Sequence, residues 1–540
     1  MFRIGIDLDN TIACYDQTFY RVALSMGLVK TDTPCSKTNI KSHILSLPEG
    51  EINWQRLQGQ VYGRHMSSAA IFPGFLEFIL LSRLRKNEVF IVSNKSEFGH
   101  FDESLVPLRE KAMLWMQSNH FFDKDGFSFD VKDIFFESTR EQKVCQIKEL
   151  ACTHFIDDLL EVFEEPMFPA KTKKILFQTT PYSSVDKKVT EARSWRDITQ
   201  KLYSPWTEEE VCQVIQSRFP KLGIEHSELR KGRGNSRVYK LSSESNGAFA
   251  LKVYPDLQKD PRPRLETEFS ASVLMSTNGY PVAEPIACDK NLGWGIYRWI
   301  SDKPIGVPDN EFMVDSTEFI IRLLGDSRTN KSFDTFDLAS EACLSGAEIV
   351  NQIYRRLKML MAIDHKELLS FLSLELLPFM ELITQKARSE SGSLFDSDLS
   401  RSDQMLSPSD FGSHNALRSR GERATFIDFE YFGWDDPVKL VSDVYWHPGM
   451  GLNRPQREMW ISRCLDIFSR DSSFSKRLNA YLPLYGIRWC LIVLNVYLRS
   501  GAENRLHANS QEDFDLTKTC NEQLSKSRKL LQEVMEIGHV

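Results

Sequence analysis

The sequence predicts a two-part mixed α/β chain: a doubly wound parallel sheet over residues 1–204, then an α+β segment over 205–540 that opens with a hairpin and becomes almost wholly helical. Three observations predict it. Short β-branched runs ("FRIGIDL", "EVFIVSN", "THFIDD", "KKILFQTT") alternate with helical stretches in the first part, a pattern that implies a parallel sheet wound on both faces. The texture changes after Ser204-Pro205, a natural boundary. The length of 540 residues exceeds what one hydrophobic core usually supports.

Each element follows from its local pattern. "PYSSVDKKVTEARSWRDITQKLYSPW" predicts the last amphipathic helix of the first part. "SRVYKLSSESNGAFALKVYPD" predicts two strands turning at Asn246-Gly247, and "ETEFSASVLMSTNG" a helix ending at Gly279. From about residue 308 the period is helical, as in "SGAEIVNQIYRRLKMLM" and "HKELLSFLSLELLPFMELITQKA", except between 407 and 448. "ARSESGSLFDSDLSRSDQ" reads as a polar loop. The most apolar window, residues 481–498, holds Pro483, Gly486, Arg488 and Asn495, which suit a buried helix better than a membrane span.

Composition narrows the function. A formal net charge of −7 with no dense Lys/Arg block argues against nucleic acid as a partner and leaves small anions open. The ten cysteines form no CxxC pair, so neither a zinc cage nor a disulfide framework is expected. With no charged-then-apolar leader at the start, the expectation is a cytoplasmic protein without a membrane partner.

The chemistry begins at "MFRIGIDLDNTIACYD", where a strand delivers Asp7 and Asp9 to one point. Ser93 ends the next strand candidate, Lys143 sits in "ESTREQKVCQIKEL" fourteen residues before Asp157, and Asp157-Asp158 end a third strand. In an open parallel sheet these ends share one crevice. Carboxylates gathered there repel unless a divalent cation neutralises them, and hard oxygen ligands favour Mg²⁺. With a cation and a lysine present, one carboxylate can attack phosphorus while its neighbour manages the proton. The order DxDx[TV], Ser/Thr, Lys, acidic pair resembles the haloacid dehalogenase phosphatase superfamily over residues 1–204. The resemblance implies Asp7 as nucleophile, Asp9 as general acid/base, Thr11, Ser93 and Lys143 as phosphate ligands, and Mg²⁺ held among Asp7, Asp9, Asp157 and Asp158. Residues 14–72 then form a small cap that shapes substrate choice.

A second set lies further on. "RKGRGNSRVYKL" places Gly232, Gly234 and Ser236 in a loop between strands, where backbone N–H groups can approach phosphates. Lys252 lies in the next strand, and Glu268 is spaced to pair with it from the following helix. In "SPSDFGSHNALRSRGERATFIDFEYFGWDDP", Asp410, Asn415 and Asp428 supply a base and two oxygen ligands. Residues 205–540 resemble the aminoglycoside phosphotransferase and choline kinase superfamily, a bilobal protein-kinase-like fold. The resemblance implies ATP phosphates at Gly234, Ser236 and Lys252, with Glu268 pairing Lys252. It makes Asp410 the catalytic base and Asn415 and Asp428 the Mg²⁺ ligands, with "GIYRWI" as the interlobe hinge. Pro408-Ser409-Asp410 stands where that family has His-Gly-Asp, which raises the question of a pseudokinase. "DVYWHPGMGLN" is expected to pack between helices, with no catalytic role for His447.

Together the two sets predict a bifunctional enzyme that uses Mg²⁺ and ATP. It would hydrolyse a small phosphomonoester and phosphorylate a small-molecule hydroxyl of a sugar, polyol or amino alcohol. The alternative is a phosphatase whose kinase-like half only senses a nucleotide or metabolite.

Overall fold

The computed structural model describes residues 1–99, 105–124, 126–178, 188–230, 236–255, 260, 262–418, 422–498 and 516–538. The chain forms two compact units. The first comprises Met1–Ser227, Ser243–Asn246 and Asp256–Asp260; the second comprises Glu228–Ser242, Gly247–Pro255 and Pro261–Val540.

The first unit is built on a six-stranded sheet. Its strands are β1 (Arg3–Ile6), β4 (Glu88–Asn94), β5 (Ile134–Glu137), β6 (His154–Asp157), β7 (Lys173–Phe177) and β8 (Val189–Ala192), in the order β5-β4-β1-β6-β7-β8. Every pairing is parallel. The chain therefore departs in opposite directions on the two sides of β1, which opens a crevice beyond its carboxyl end. Strand alternation sorts the core: Leu176 joins Val92, Phe155, Val144 and Ile147 on one face, whereas the ring of Phe177 lies 5.8 Å from Trp195 on the other. Helices α6 (Arg140–Glu149) and α7 (Leu160–Phe163) cover the first face, while α4 (Phe75–Leu84) and α8 (Trp195–Leu202) contribute Phe75, Phe78 and Trp195 to the second. Helix α5 (Leu108–Ser118) is pinned by Trp115, whose indole N–H donates to the Ala69 carbonyl at 2.9 Å.

Between β1 and α4 the chain leaves through β2 (Ala13–Cys14) and returns through β3 (Ala70–Ile71), which pair antiparallel. These two short strands are the stalk of a helical insertion made of α1 (Asp16–Ser25), α2 (Lys37–Leu45) and α3 (Gly50–Tyr62). Phe19 stacks on Trp54 at 5.1 Å and is edge-on to Tyr62 at 5.7 Å, so the insertion has a small core of its own. One expectation fails in part: of the helix predicted across 181–206, residues 181–187 lie outside the described residues, Val189–Ala192 forms the edge strand β8, and the helix is Trp195–Leu202. Helix α9 (Glu208–Arg218) closes the unit with a Thr207/Glu210 capping box, and Arg85 pairs with Glu210 at 2.7 Å.

The second unit opens with a five-stranded sheet of order β12-β13-β11-β10-β9: β9 (His226–Arg230), β10 (Arg237–Ser243), β11 (Gly247–Val253), β12 (Pro285–Asp289) and β13 (Trp294–Arg298). Gly247, at φ 78°, permits the tight turn between β10 and β11. Helix α10 (Arg264–Thr277) lies against this sheet and ends before Gly279, which is left-handed at φ 72°. Two small ribbons follow. One is β14 (Lys303–Pro304), β16 (Ala416–Arg418) and β17 (Thr425–Phe426); the other is β15 (Met405–Ser407) with β18 (Gly433–Asp435).

The remainder is helical: α11 (Asn310–Thr329), α12 (Gly346–Met361), α13 (Lys366–Ser370), α14 (Leu377–Ser391), α15 (Pro437–Trp446), α16 (Arg454–Ile467), α17 (Phe474–Val493) and α18 (Leu516–Gly538). A π turn at Phe371–Leu376 joins α13 to α14 immediately before Pro378, which has no N–H to continue the regular ladder. The polar segment after residue 387 is less loop-like than expected: the helix runs to Ser391 and Phe395 is buried against Tyr481. The stretch Phe474–Tyr497 is long and apolar enough to cross a membrane, yet 72% of its most apolar window is buried, and α17 packs on α12, α14, α15 and α18. Its arginines are paired, Arg477 with Asp436 at 3.0 Å and Arg488 with Glu341 at 2.7 Å.

A pH test of the first unit follows from His154 on β6. It is buried with the Phe2 ring edge-on at 4.7 Å, and burial, with Lys173 nearby, pushes its imidazole down to about 4. The unfolded chain takes up a proton near pH 6.5 that the folded ring refuses, so stability is full above that pH and is lost as pH falls toward 4. The loss is up to about 3 kcal/mol. Denaturant unfolding at pH 5 and 7.5 checks this, with His154→Asn expected to narrow the difference between the two.

Candidate functional site

The first cluster sits where β1, β4 and β6 end. Asp7 continues β1 by donating its N–H to the Ile156 carbonyl at 2.9 Å, and the chain then turns sharply, with Asn10 left-handed at φ 61°. From α6, Lys143 places its ammonium between two carboxylates, 2.7 Å from Asp7 Oδ1 and 2.6 Å from Asp157 Oδ2. All three are buried. Oxygens of Asp7, Asp157 and Asp158 lie within 4.8 Å of one another, the arrangement of a hard-cation site. Burial pushes Asp157 up to about 6; Lys143 opposes the rise and Asp7 adds to it. Asp158 is pushed up to about 8 by burial against the opposing charge of Lys37.

Two hydroxyls around this cluster lack partners. Among the described residues, Ser93 Oγ at the end of β4 and Thr11 Oγ1 in the turn after β1 are buried and make no hydrogen bond. Buried hydroxyls are normally satisfied, so two orphans at the ends of β1 and β4, near carboxylates that could hold a cation, suit an oxyanion.

Asp9 stands apart from the three-carboxylate group and is held differently from the expectation that grouped it with the metal ligands. Its carboxylate accepts from the Tyr15 hydroxyl at 2.6 Å and pairs with Lys95 at 2.7 Å. Lys95 lies two residues past Ser93, and its ammonium also faces the Tyr62 ring at 5.1 Å. The insertion reaches the cluster through Lys37, 3.7 Å from Asp158, and through Tyr62, 3.5 Å from the Asn10 amide. Four carboxyl groups (Asp7, Asp9, Asp157, Asp158) thus face three ammonium groups (Lys37, Lys95, Lys143). A divalent cation would favour the ionised form of the raised Asp157 and Asp158 and add the positive charge that a phosphate needs.

The second cluster centres on Lys252 of β11. Its ammonium is 2.6 Å from Glu268 Oε2 on α10, 2.6 Å from Asp428 Oδ1 and 3.5 Å from Glu430. The Tyr254 hydroxyl donates to the same Glu268 oxygen at 2.7 Å, and Arg264 anchors Glu430 at 2.6 Å. Burial and the charge of Asp428 push Glu268 up to about 7, against the pull of Lys252. Glu268, Asp428 and Glu430 form a second group of clustered oxygens. Gly234 lies outside the described residues; Ser236 Oγ is buried without a partner among those described. The segment "GIYRWI" finishes β13, after which Trp299 donates its N–H to the Ala248 carbonyl.

Asp410 and Asn415 come from the loop between β15 and β16. Asn415 Nδ2 donates to the Asp410 carbonyl at 2.9 Å and to Oδ2 at 3.2 Å, which turns the amide oxygen away as a free acceptor. The Ile427 N–H donates to the Asn415 carbonyl, so the β16–β17 hairpin sets Asp428 beside Asn415. Ser409 and Asp428 are both left-handed, at φ 63° and 70°, a strained backbone at the two acids' loops. Ser409 holds the middle position of the Pro-Ser-Asp triplet, where the resembled family has glycine. It offsets the strain by donating its hydroxyl to the Tyr431 carbonyl at 3.1 Å and its N–H to Ser407 Oγ at 3.1 Å.

His447 is not merely packed between helices. Its Nε2 is 3.9 Å from Asp410 Oδ1, and its ring stacks on that of His414, whose Nε2 is 3.0 Å from the same oxygen. Burial would raise the Asp410 carboxyl, but these two rings and the Asn415 amide hold it down at about 2. Sequence reasoning therefore passed over Lys37, Lys95, Tyr15 and His414 and gave His447 a packing role only. Lys95, so close to Ser93, carried a local signal.

No protein-family model matches this chain, and no curated protein matches it either. About 60% of the chain is similar in structure to small-molecule kinases. Choline kinase LicA from Streptococcus pneumoniae is 16% identical, with 60% of this chain and 98% of that one covered at a TM-score of 0.40. The Plasmodium vivax ethanolamine kinase is 12% identical, with 63% and 95% covered at 0.41. Spectinomycin phosphotransferase, solved with ADP and spectinomycin, is 14% identical, with 62% and 99% covered at 0.40. At such identities and scores the likeness assigns no residue a role.

Proposed function

We propose that the chain carries two phosphoryl-handling centres. The first unit is a Mg²⁺-dependent phosphomonoester hydrolase, and the second is an ATP-dependent kinase for a small-molecule hydroxyl. The observation that carries the first reading is Lys143 held between Asp7 and Asp157 beside the orphaned hydroxyls of Ser93 and Thr11. For the second it is Lys252 held between Glu268 and Asp428.

The oxygen donors suit a hard cation, with Asp7, Asp157 and Asp158 as its holders in the first unit and Asn415 and Asp428 in the second. When bound, Mg²⁺ supplies Lewis-acid neutralisation of phosphate charge. The rest falls to the side chains. In the first unit a carboxylate oxygen of Asp7 forms the new O–P bond as the ester oxygen leaves, and Asp9, in its protonated form, gives that oxygen its proton and is left as the carboxylate that Tyr15 and Lys95 hold. Asp9 then takes a proton from water as the water displaces phosphate from Asp7. Tyr15 and Lys95 fix the direction in which Asp9 points. Ser93, Thr11 and Lys143 hold the phosphate oxygens.

In the second unit Asp410 orients the acceptor hydroxyl and receives its proton as the γ-phosphoryl group moves to that oxygen and ADP leaves. Lys252, steadied by Glu268, meets the phosphates of ATP. The acceptor class, a sugar, polyol or amino alcohol, is the part of this reading to be settled by screening.

Separate centres should respond separately. Asp7→Asn is expected to lower phosphomonoester hydrolysis by at least about 10³-fold while leaving acceptor-dependent ADP release within about twofold, and Asp410→Asn to do the reverse. Turnover assays of both reactions on each variant check this; loss of both activities from either single substitution would contradict two independent centres.

Metal alone gives a further expectation. In the absence of nucleotide, Mg²⁺ at 100 times its dissociation constant should stabilise the chain by about 2.7 kcal/mol through the first site. The shift, followed by thermal unfolding, should disappear in Asp157→Asn and survive in Asp428→Asn.

A further inference from the structure

One pair of side chains outside the chemistry above has an architecture of its own. The rings of His414 and His447 lie parallel within 5°, their centroids 4.1 Å apart. The backbone is shaped to them: a Cβ on Gly412 would fall 2.6 Å from His414 Cε1, and one on Gly449 would fall 2.7 Å from His447 Cε1. Trp489 meets His447 edge-on at 4.6 Å and is itself fixed by donating its indole N–H to Asp443 Oδ1 at 2.8 Å.

Their tautomers follow from their partners. The Gly449 N–H donates to His447 Nδ1 at 2.9 Å, so Nδ1 is the acceptor and the ring proton sits on Nε2, the nitrogen facing Asp410 Oδ1 at 3.9 Å. His414 Nε2 is 3.0 Å from that oxygen, and its Nδ1 is buried without a partner among the described residues. A proton on Nδ1 would leave a buried N–H unpaired and set a lone pair against a carboxylate, so this ring too carries its proton on Nε2. The His414 N–H therefore bonds this oxygen, while the His447 N–H faces it from beyond hydrogen-bond distance. The same assignment disfavours a transition metal among Asp410, His414 and His447, because both nitrogens it would need already hold protons.

We propose that His414 and His447 are positioning residues for Asp410, fixing Oδ1 from one side while the Asn415 amide steadies Oδ2 from the other, so that the carboxylate presents its remaining lone pairs to an incoming hydroxyl. This rests on the kinase reading of the second unit. It also offers a way for Pro408 to stand where the resembled family places a supporting histidine: the support comes instead from His414 and His447.

The test uses the full chain with Mg·ATP and a panel of sugars, polyols, amino alcohols and aminoglycosides, reading the ADP release that Asp410→Asn abolishes. His414→Leu should lower kcat about tenfold or more with KM for ATP within about twofold, and His414→Gln, whose amide N–H can replace Nε2–H, should recover to within about threefold. His447→Leu should show a smaller loss of kcat. Equal losses for Leu and Gln, or an effect confined to KM for ATP, would overturn the positioning role. Nitrogen NMR of ¹⁵N-histidine-labelled protein should show both rings as Nε2–H tautomers. An Nδ1–H form, or loss of these protons to one equivalent of Zn²⁺, would overturn it independently of turnover. If no ADP release depends on Asp410, the kinase reading itself falls; if such release exists but ignores both histidines, only this inference does.

Discussion

Each unit depends on one ammonium group, buried in the first and part-buried in the second, placed between carboxylates that the sequence holds far apart. Lys143 joins Asp7, 136 residues earlier, to Asp157, 14 residues later. Lys252 joins Glu268, 16 residues on, to Asp428, 176 residues on. Taking such charges out of water carries a penalty that mutual attraction repays only when the geometry is good, and removing one partner strands the others. In the first unit the lysine is the tie between a helix and two parallel strands, and in the second between a strand, a helix and a loop. The rest of each fold can be read as the scaffold that delivers those groups to one point.

That delivery explains why much was legible in the sequence. A parallel sheet sends the residues after each strand to the same edge, so "GIDLD", "VSN" and "FIDD" announce a common site wherever the strands are recognised. The Lys252–Glu268 pair was equally readable, because a strand followed by a helix at that spacing places the two in register. The supporting shell was less readable. Lys37 and Tyr62 reach the first cluster through the docking of a helical insertion, and His414, in the turn after β15, meets His447, at the end of α15, across 33 residues. No local period encodes such contacts. Gly412 and Gly449, each of which would clash with an imidazole if it carried a Cβ, were the available sign of the second pair. The misread helix before Trp195 has a different cause: β8 is a four-residue edge strand with one buried side chain, too short for alternation to register.

Two acids with the same side chain occupy opposed settings, and that contrast bears on what each can do. Asp7 is buried, and its one hydrogen-bonded oxygen among the described residues, Oδ1, is bound by Lys143 alone. A carboxylate so placed keeps its second oxygen available to approach phosphorus. Asp410 has N–H donors at both oxygens, His414 on Oδ1 and Asn415 on Oδ2. Donors on both sides draw electron density from a carboxylate and fix its plane, which makes it a poor nucleophile and a well-directed acceptor for a hydroxyl proton. On the proposed reading the first acid must become covalently bonded to phosphorus and the second must not. The number of N–H groups aimed at each carboxylate separates those two roles before any substrate is considered.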